Sequence, residues 1–304
     1  MGTGDGQCDR PIDGAQLASW RREAMGEAIA AGVAPAELDW LLQEFAGLDK
    51  LSLRLESFKD LAEIQLGLDF GELKRLWRQR LNGRMPVQYL TGVAPWRHFS
   101  LAVSPEVLIP RPETECLIDL AIASISSKRD LTWGNWADLG TGSGAIALGL
   151  ASVFPDAIIH AVDCSANALT IAEKNALNSG LAQRIRFYRG SWFEPLGELK
   201  GHLSGMVANP PYIPRKMIPQ LQPEVTLHEP HLALDGGEDG LDCIRELVAI
   251  APDYLCPGGV WLVEMMASQA PQVREMLSNQ GSYDRIQIFP DLAGIERFAL
   301  AYKR

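Results

Sequence analysis

An amide, two prolines and an aromatic ring stand together at Asn209-Pro210-Pro211-Tyr212. The preceding residues, 203–208, have the pattern of a buried strand, and open α/β sheets bind their ligands at the carboxyl ends of such strands. The prolines fix the backbone and remove two N–H donors, which leaves rigid carbonyl acceptors beside the amide and the ring. The motif therefore predicts a binding site, although a proline-rich turn without chemistry is the simpler alternative.

The chemistry that suits this motif is methylation of an amide or aromatic amine. Such a nitrogen is a poor nucleophile because its lone pair is delocalised. The side-chain oxygen of Asn209 and the carbonyl of Pro210 could accept its two hydrogens, orient it and stabilise the positive charge that develops on it. The ring of Tyr212 could pack against the planar group, and its π face suits a sulfonium cation. Neither a metal nor a strong base is needed.

A glycine-rich turn upstream supplies a candidate cofactor site. It comprises Gly140, Thr141, Gly142, Ser143 and Gly144, and it follows a candidate strand at residues 136–139. Glycines allow a backbone to approach a ligand closely, and the helix that follows offers free N–H groups and the positive end of its dipole.

A carboxylate further along completes the cofactor pattern. Asp163 ends the next candidate strand, where it could accept hydrogen bonds from the two hydroxyls of a ribose. The combination predicts a nucleotide-type cofactor. Because Gly142-x-Gly144-x-x-Ala147 also passes a loose dinucleotide test, an NAD-dependent reductase stays open at this point, as does a tight turn without a ligand.

Strands and helices alternate from residue 113 to the end of the chain. Strand candidates lie at 136–139, 157–163, 185–189, 203–208 and 260–264. Helix candidates lie at 145–153 and from the N-cap Ser165 to about Gly180. Such alternation predicts an α/β domain with a mostly parallel sheet, over residues 113–304.

The first part of the chain has a helical pattern instead. Apolar residues recur with helical spacing at Leu38, Leu41, Leu42 and Phe45, and again at Leu73, Leu76, Trp77 and Leu81. Pro35 and Gly47 bracket the first of these helices. We expect a small all-helical domain over residues 1–84 and a hairpin-like linker over 85–112, with extended segments at 89–91 and 98–103.

Composition indicates the cellular compartment of the protein and the classes of partner that it can bind. The net charge of −10 gives no general attraction to nucleic acid phosphates, so direct DNA binding is not expected. Five cysteines without C-x-x-C spacing suit a reducing compartment. The first residues lack the pattern of a signal peptide, and no apolar stretch has membrane-spanning length. These features favour a cytoplasmic protein without a membrane partner. The spacing of His228 and His231, interrupted by Pro230, indicates no metal site.

Four segments together resemble one family. Asn-Pro-Pro-Tyr behind a glycine-rich loop is typical of methyltransferases that act on planar nitrogen groups, including adenine-N6 DNA methyltransferases and glutamine methyltransferases. Residues 108–115, Leu-Ile-Pro-Arg-Pro-Glu-Thr-Glu, resemble the segment before the catalytic domain of release factor glutamine methyltransferases. Ser191-Trp192-Phe193 matches the position of that family's cofactor-adjacent aromatic. Residues 229–241 are similar to the loop after its catalytic motif.

The resemblance covers nearly the whole chain and implies a fold, a reaction and a site. The fold is a Rossmann-like class I methyltransferase domain, with a seven-stranded, mostly parallel sheet containing one antiparallel strand, and the helical N-terminal domain would recognise the substrate. The reaction is methyl transfer from S-adenosylmethionine to the Gly-Gly-Gln glutamine of peptide chain release factors. Cofactor contacts carry over to Gly140, Thr141, Gly142, Ser143, Gly144, Asp163, Trp192 and Asn209, and catalysis and substrate binding to Asn209, Pro210, Pro211 and Tyr212.

Other functions compete with this interpretation. A ribosomal-protein glutamine methyltransferase is the nearest, although residues 233–237 favour release factors. An adenine-N6 DNA methyltransferase and a non-enzymatic cofactor-binding module come next. Two features stay open: Met265-Met266 stands where the family has a small residue, and a basic cluster opposed only by Glu72 is either a solvated helix face or a docking surface for a partner or RNA. The cluster comprises Lys74, Arg75, Arg78, Arg80 and Arg84.

Overall fold

Contacts along the chain separate two units, Met1–Gly92 and Val93–Arg304. The computed structural model describes residues 11–125, 131 and 133–304. None of the described helices is both long enough and apolar enough to cross a membrane.

The first unit is built from helices. They are α1 (Gly14–Ala30), α2 (Ala36–Ala46), α3 (Lys50–Leu55), α4 (Phe70–Gly83) and α5 (Val87–Thr91). The predicted helix behind Pro35 is confirmed as α2, and it ends at Gly47, whose backbone is left-handed. The second predicted helix is confirmed as α4. Apolar side chains that face inward from these helices make a core of their own, which includes Leu17, Leu38, Leu41, Leu42, Leu73 and Trp77.

Ion pairs neutralise part of the basic cluster on α4. The Arg75 guanidinium lies 2.5 Å from Glu72, as the sequence suggests. The buried Arg80 guanidinium lies 2.5 Å from Glu37, a carboxylate of α2. The expectation that Glu72 alone opposes the cluster was therefore wrong, because the second partner comes from another helix.

A short β-hairpin opens the second unit. Its strands are β1 (Val93–Trp96) and β2 (Phe99–Ala102), which pair antiparallel. The extended segment expected at 98–103 is thus confirmed, whereas the one expected at 89–91 was wrong because those residues end helix α5. A helix of five residues is too short to show a helical period in the sequence.

The second unit contains the expected seven-stranded sheet. Its strands are β3 (Asn135–Leu139), β4 (Ile158–Asp163), β5 (Ile185–Arg189), β6 (Leu203–Ala208), β7 (Leu255–Glu264), β8 (Tyr283–Pro290) and β9 (Glu296–Lys303). Their order in the sheet is β5-β4-β3-β6-β7-β9-β8. Only β9 runs against its neighbours, so the expectation of one antiparallel strand is confirmed. The strand order reverses between β3 and β6, where such sheets bind their ligands.

The described part of the second unit also contains α-helices. They are α6 (Cys116–Ile125), α7 (Ala145–Val153), α8 (Ala166–Asn178), α9 (Pro223–His228), α10 (Asp242–Tyr254) and α11 (Ala270–Gln280). One buried core lies between the sheet and α6, α7 and α8, and a second lies between the sheet and α10 and α11. Helix α8 begins at its N-cap Ser165, as predicted, because the Ser165 hydroxyl accepts a hydrogen bond from the Ala168 amide. With both faces of its sheet covered, this unit has a complete hydrophobic core of its own.

Candidate active site

A cavity of about 460 Å³ opens at the carboxyl ends of β3, β4, β5 and β6. We call it the strand-end cavity. Six of the predicted site residues line it: Gly140, Gly142, Asp163, Trp192, Asn209 and Pro211. Parallel strands bring these residues together, although the first and the last lie 71 positions apart in the printed sequence. The walls therefore join the glycine turn and the Asn-Pro-Pro-Tyr motif in one space.

The glycine turn is held against the end of β4. The amides of Gly140 and Thr141 both donate to the Val162 carbonyl, at 2.9 Å each. Gly140 has a φ of +80°, and a Cβ there would lie 3.2 Å from the ring of Trp192. A side chain at this position would therefore be strained and would crowd the aromatic wall of the cavity.

Asp163 fixes the turn and still faces the cavity. Its Oδ2 accepts from the Gly142 amide and its Oδ1 from the Ser165 amide, both at 2.9 Å. A carboxylate has about four acceptor positions, so each oxygen keeps capacity for a further donor. Two vicinal hydroxyls of a ribose are donors of the right kind. A flat aromatic wall, a close glycine backbone and this carboxylate together fit the adenosine part of S-adenosylmethionine.

Thr141 and Ser143 are buried instead of lining the cavity. The Thr141 hydroxyl donates to Asp138 Oδ2 at 2.6 Å, and the Ser143 carbonyl accepts from Asn175 Nδ2 at 2.8 Å. Burial raises the pKa of Asp138 to about 7, against the opposing effect of the Thr141 hydrogen bond. Both residues shape the turn from beneath. Gly144 also lies off the cavity wall, as the N-cap of α7, and the cofactor contacts of all three stay a prediction.

A chain of hydrogen bonds runs behind the Asn-Pro-Pro-Tyr motif. Asn209 Nδ2 donates to the Thr114 hydroxyl at 3.1 Å, and this hydroxyl donates to Glu264 Oε2 at 2.8 Å. The other oxygen, Oε1, accepts from the Tyr212 hydroxyl at 3.1 Å. We call these four residues the amide network. In the described part of the chain, Asn209 Oδ1 has no hydrogen-bond partner.

Burial changes the acidity of the amide network. It raises the pKa of Glu264 to about 7, and the hydrogen bonds from Thr114 and Tyr212 and the nearby Arg297 oppose this rise. Burial, followed by the charge of Glu264, raises the pKa of the Tyr212 hydroxyl. Tyr212 does not line the strand-end cavity, and Pro210 does not either, so their contacts with a substrate stay a prediction.

The sequence reasoning missed Thr114 and Glu264. A signal for Glu264 was present, because it ends the strand expected at 260–264. Ala208 and Val263 are partners in neighbouring parallel strands, so the residues that follow them lie side by side at the edge of the sheet. Thr114 stands in the segment 108–115 that carried the resemblance, but no local pattern there indicates a contact with the motif, because that segment lies outside the sheet.

The segments that carried the resemblance converge on the same loop. Arg111 Nη2 lies 2.8 and 2.6 Å from the two oxygens of the buried Glu229. Burial raises the pKa of Glu229, and the Arg111 charge opposes that rise. Gln269 Nε2 donates to the carbonyls of Tyr212 and Gly240, each at 3.0 Å. The loop after the motif is therefore held at both of its ends.

The departure at Met265-Met266 leaves the amide network intact. Met265 is fully buried, and Met266 lines a second cavity of about 1000 Å³ in the same unit. The Met266 amide donates to Gln269 Oε1 at 2.9 Å, which orients the side chain that holds the motif. Among the described residues, no group of three or more His, Cys, Asp or Glu side chains could hold a metal ion.

Several relatives are similar to this chain over nearly its whole length. A family model described as a methyltransferase small domain matches residues 120–226. A release factor glutamine methyltransferase of Synechocystis sp. is 51% identical over 95% of this chain and 97% of its own. Those of Thermosynechococcus vestitus and Gloeobacter violaceus are 46% and 42% identical, over 90% and 96% of this chain and 95% and 97% of theirs. The chain belongs to the release factor glutamine methyltransferase family.

Membership confirms the resemblance drawn from the sequence and makes the chain a methyltransferase with S-adenosylmethionine as its cofactor. Among solved structures, the hMettl16 catalytic domain in complex with MAT2A 3′UTR hairpin 6 is similar over 80% of this chain and 84% of its own. The TM-score is 0.53 at 16% identity, a likeness in fold alone. The expected class I methyltransferase fold is confirmed.

Proposed function

We propose that this chain transfers a methyl group from S-adenosylmethionine to a glutamine side-chain amide nitrogen in a peptide chain release factor. The glutamine that we propose is that of the Gly-Gly-Gln sequence. The observation that carries the proposal concerns Asn209. Its Oδ1 has no hydrogen-bond partner among the described residues, and it lines the same cavity as Gly140, Asp163 and Trp192. The names of the relatives support the same class of substrate.

Four residues of the strand-end cavity would hold the cofactor. The backbone of Gly140 and Gly142 allows close approach, Asp163 accepts hydrogen bonds from ribose, and the ring of Trp192 covers a planar base. When bound, S-adenosylmethionine supplies an activated methyl group with a positively charged sulfur. The protein therefore needs to hold and orient the acceptor, and it needs no acid of its own to activate a leaving group.

The Asn-Pro-Pro-Tyr motif would hold the glutamine. Asn209 Oδ1 accepts one amide hydrogen and the Pro210 carbonyl accepts the other, which fixes the plane of the amide. Both oxygens carry partial negative charge, and they stabilise the positive charge that grows on the nitrogen as the new bond forms. The methylated amide becomes neutral again by releasing one of its two hydrogens to solvent as a proton. The rigid proline pair keeps these acceptors in place before the substrate arrives.

Recognition of the whole substrate needs a wider surface than this cavity. A glutamine side chain offers few atoms, and free glutamine and exposed glutamines are common in a cytoplasm, where we propose that the enzyme works. Specificity for one protein is therefore spread over a partner-sized interface. We propose that the helical first unit contributes part of that surface.

Transfer of labelled methyl groups tests the proposed function. The purified enzyme is incubated with labelled S-adenosylmethionine and, in parallel, with a release factor, a total ribosomal protein fraction and DNA. We expect label in the release factor, at the Gly-Gly-Gln glutamine on peptide mapping. Label confined to ribosomal protein would show that the substrate is a ribosomal protein and not a release factor. Label confined to DNA would overturn the proposed chemistry.

A further inference from the structure

The two ends of the Asn209 side chain have the same shape and opposite hydrogen-bonding roles. The oxygen accepts and the nitrogen donates, so only the partner of one end decides which end faces the strand-end cavity. Methylation of an amide needs the oxygen there, because the substrate nitrogen also carries hydrogens. An Asn209 turned by half a revolution would set donor against donor.

The amide network decides this orientation through the chemistry of its members. An ionised Glu264 can only accept, so the Thr114 hydroxyl must use its one proton to bond with Oε2. The hydroxyl then has only lone pairs to offer Asn209, and it can bind the nitrogen but not the oxygen. Because the Asn209 nitrogen binds the hydroxyl, and the hydroxyl binds the carboxylate, Asn209 Oδ1 is the end that stays available on the cavity side.

Burial makes this constraint strict. Glu264 is 1% exposed and Thr114 is 4% exposed, so water cannot replace either partner at low cost. The second Glu264 oxygen is occupied by the Tyr212 hydroxyl, which keeps the carboxylate from turning. A hydrogen bond to an ionised group is also stronger than one between neutral groups, which favours the direction described.

We propose that Thr114 and Glu264 are positioning residues, which fix the polarity of the Asn209 amide so that its oxygen meets the methyl-accepting nitrogen. This inference rests on the proposed function. Neither residue touches the substrate, and both act through Asn209. A purely structural role for the same residues would hold the loops together without setting the direction of the hydrogen bonds.

Replacement of the Thr114 hydroxyl separates the two roles. Thr114→Val keeps the shape and removes the hydroxyl, whereas Thr114→Ser keeps the hydroxyl and removes a methyl group. We expect Thr114→Val to lower kcat between about 10-fold and 10²-fold, because an amide that rotates freely is out of position for much of the time. The KM for release factor should stay near that of the wild type. Thr114→Ser should restore most of kcat.

Glu264→Gln gives a second, independent measurement. A carboxamide offers one acceptor and one donor, so it no longer compels Thr114 to donate towards it. We expect a smaller loss of kcat than in Thr114→Val. In addition, the dependence of kcat on pH near neutrality that an ionisable Glu264 imposes should disappear.

The controls keep the outcomes distinct. Calorimetric titration with S-adenosylmethionine and a thermal unfolding curve establish that each variant is folded. A wild-type enzyme that leaves release factor unmethylated would defeat the proposed function. A wild-type enzyme that methylates it, beside a folded Thr114→Val of equal kcat, would overturn the positioning role. If Thr114→Val does not fold, a Glu264→Gln variant with the kcat and pH profile of the wild type overturns it instead.

Discussion

Removal of the Asn209 side chain should affect the chemistry most directly, because we propose that its Oδ1 is the acceptor that orients the substrate. We expect Asn209→Ala to lower kcat by about 10²–10³-fold, by analogy with the removal of one donor from an oxyanion hole. Asn178→Ala, the same change at an exposed position near the end of α8, is the matched control and should have no effect. Turnover of Asn209→Ala near that of the control would contradict the assigned role.

Asp163 should matter for affinity more than for rate. Each hydrogen bond to a charged group contributes about 1.5–3 kcal/mol, so Asp163→Ala should weaken S-adenosylmethionine binding by at least one order of magnitude. The loss should be smaller in Asp163→Glu, because that variant keeps a carboxylate. Asp163→Ala also removes the acceptor that holds the Gly142 amide. Titration calorimetry measures both. Equal affinities for the wild type and Asp163→Ala would mean that the ribose binds elsewhere.

Glu264 should make catalysis depend on pH. Burial raises its pKa to about 7; the charge of Glu113 adds to this rise, and Thr114, Tyr212 and Arg297 oppose it. Only the ionised form compels Thr114 to donate towards it, so kcat should rise as the pH increases through about 7. Measurement of kcat with release factor as the substrate, from one pH unit below that pKa to one pH unit above it, tests this prediction. A flat profile in the wild type would contradict it.

The same raised pKa has a consequence for stability. The folded protein holds the Glu264 proton more tightly than the unfolded chain, whose carboxyl has a pKa near its ordinary value of 4.5. The contribution of Glu264 to the free energy of unfolding therefore falls as the pH rises from that value to about 7, and it stays at the lower level above that pH. Unfolding curves of the wild type should show this decline in the free energy of unfolding relative to Glu264→Gln.

At the scale of elements, the loop after the motif has to pack directly on it. Gly236 has an ordinary φ, but a Cβ there would lie 2.8 Å from both the Pro211 carbonyl and the Tyr212 Cα. We expect Gly236→Ala to push the motif aside and lower kcat by about 10²-fold, the effect of a displacement near 1 Å. Gly197→Ala, where a Cβ meets nothing within 4 Å, is the control. Equal rates in the two variants would show that the loop can yield.

The elements that the sequence predicted are those with a local signal. Strands β3, β4, β5 and β6 are short segments rich in apolar residues, and turn residues bracket them. Helix α2 has an apolar face and signals at both ends. The residues nearby in the chain were therefore enough to predict these elements. Strands β8 and β9 were missed. Strand β8 lies at the edge of the sheet with several exposed side chains, and it does not stand out as an apolar run.

Only the parts of the site that are continuous in the chain could be predicted from the sequence. The glycine turn is one such segment and the Asn-Pro-Pro-Tyr motif is another, and residues from both line the same cavity. Thr114 binds Asn209 across 95 positions and Glu264 across 150, so these contacts arise from tertiary packing and not from neighbours along the chain. The pairing of Arg80 with Glu37, across 43 positions, likewise arises from the packing of two helices.

At the scale of the whole molecule, the distribution of charge limits what the first unit can recognise. The chain has a net charge of −10, whereas α4 carries a cluster of basic residues. Arg75 and Arg80 are already paired with carboxylates, while Arg78 is exposed. The part of the cluster open to an acidic partner is thus smaller than the sequence suggests, and steering by charge should be modest and sensitive to salt.

The contribution of the first unit to recognition can be measured by removing it. The isolated second unit, Val93–Arg304, keeps both covered faces of its sheet and all the residues of the amide network, so it should fold and bind S-adenosylmethionine with nearly the affinity of the full chain. Its kcat/KM for an intact release factor should fall by at least about 10-fold, since a lost part of an interface costs more than about 1.4 kcal/mol. A short glutamine peptide, which has no surface to offer beyond the cavity, should be methylated equally well by both proteins. Calorimetry and a thermal unfolding curve verify that the shortened protein is folded. If it then methylates the intact release factor as efficiently as the full chain does, recognition lies wholly within the second unit.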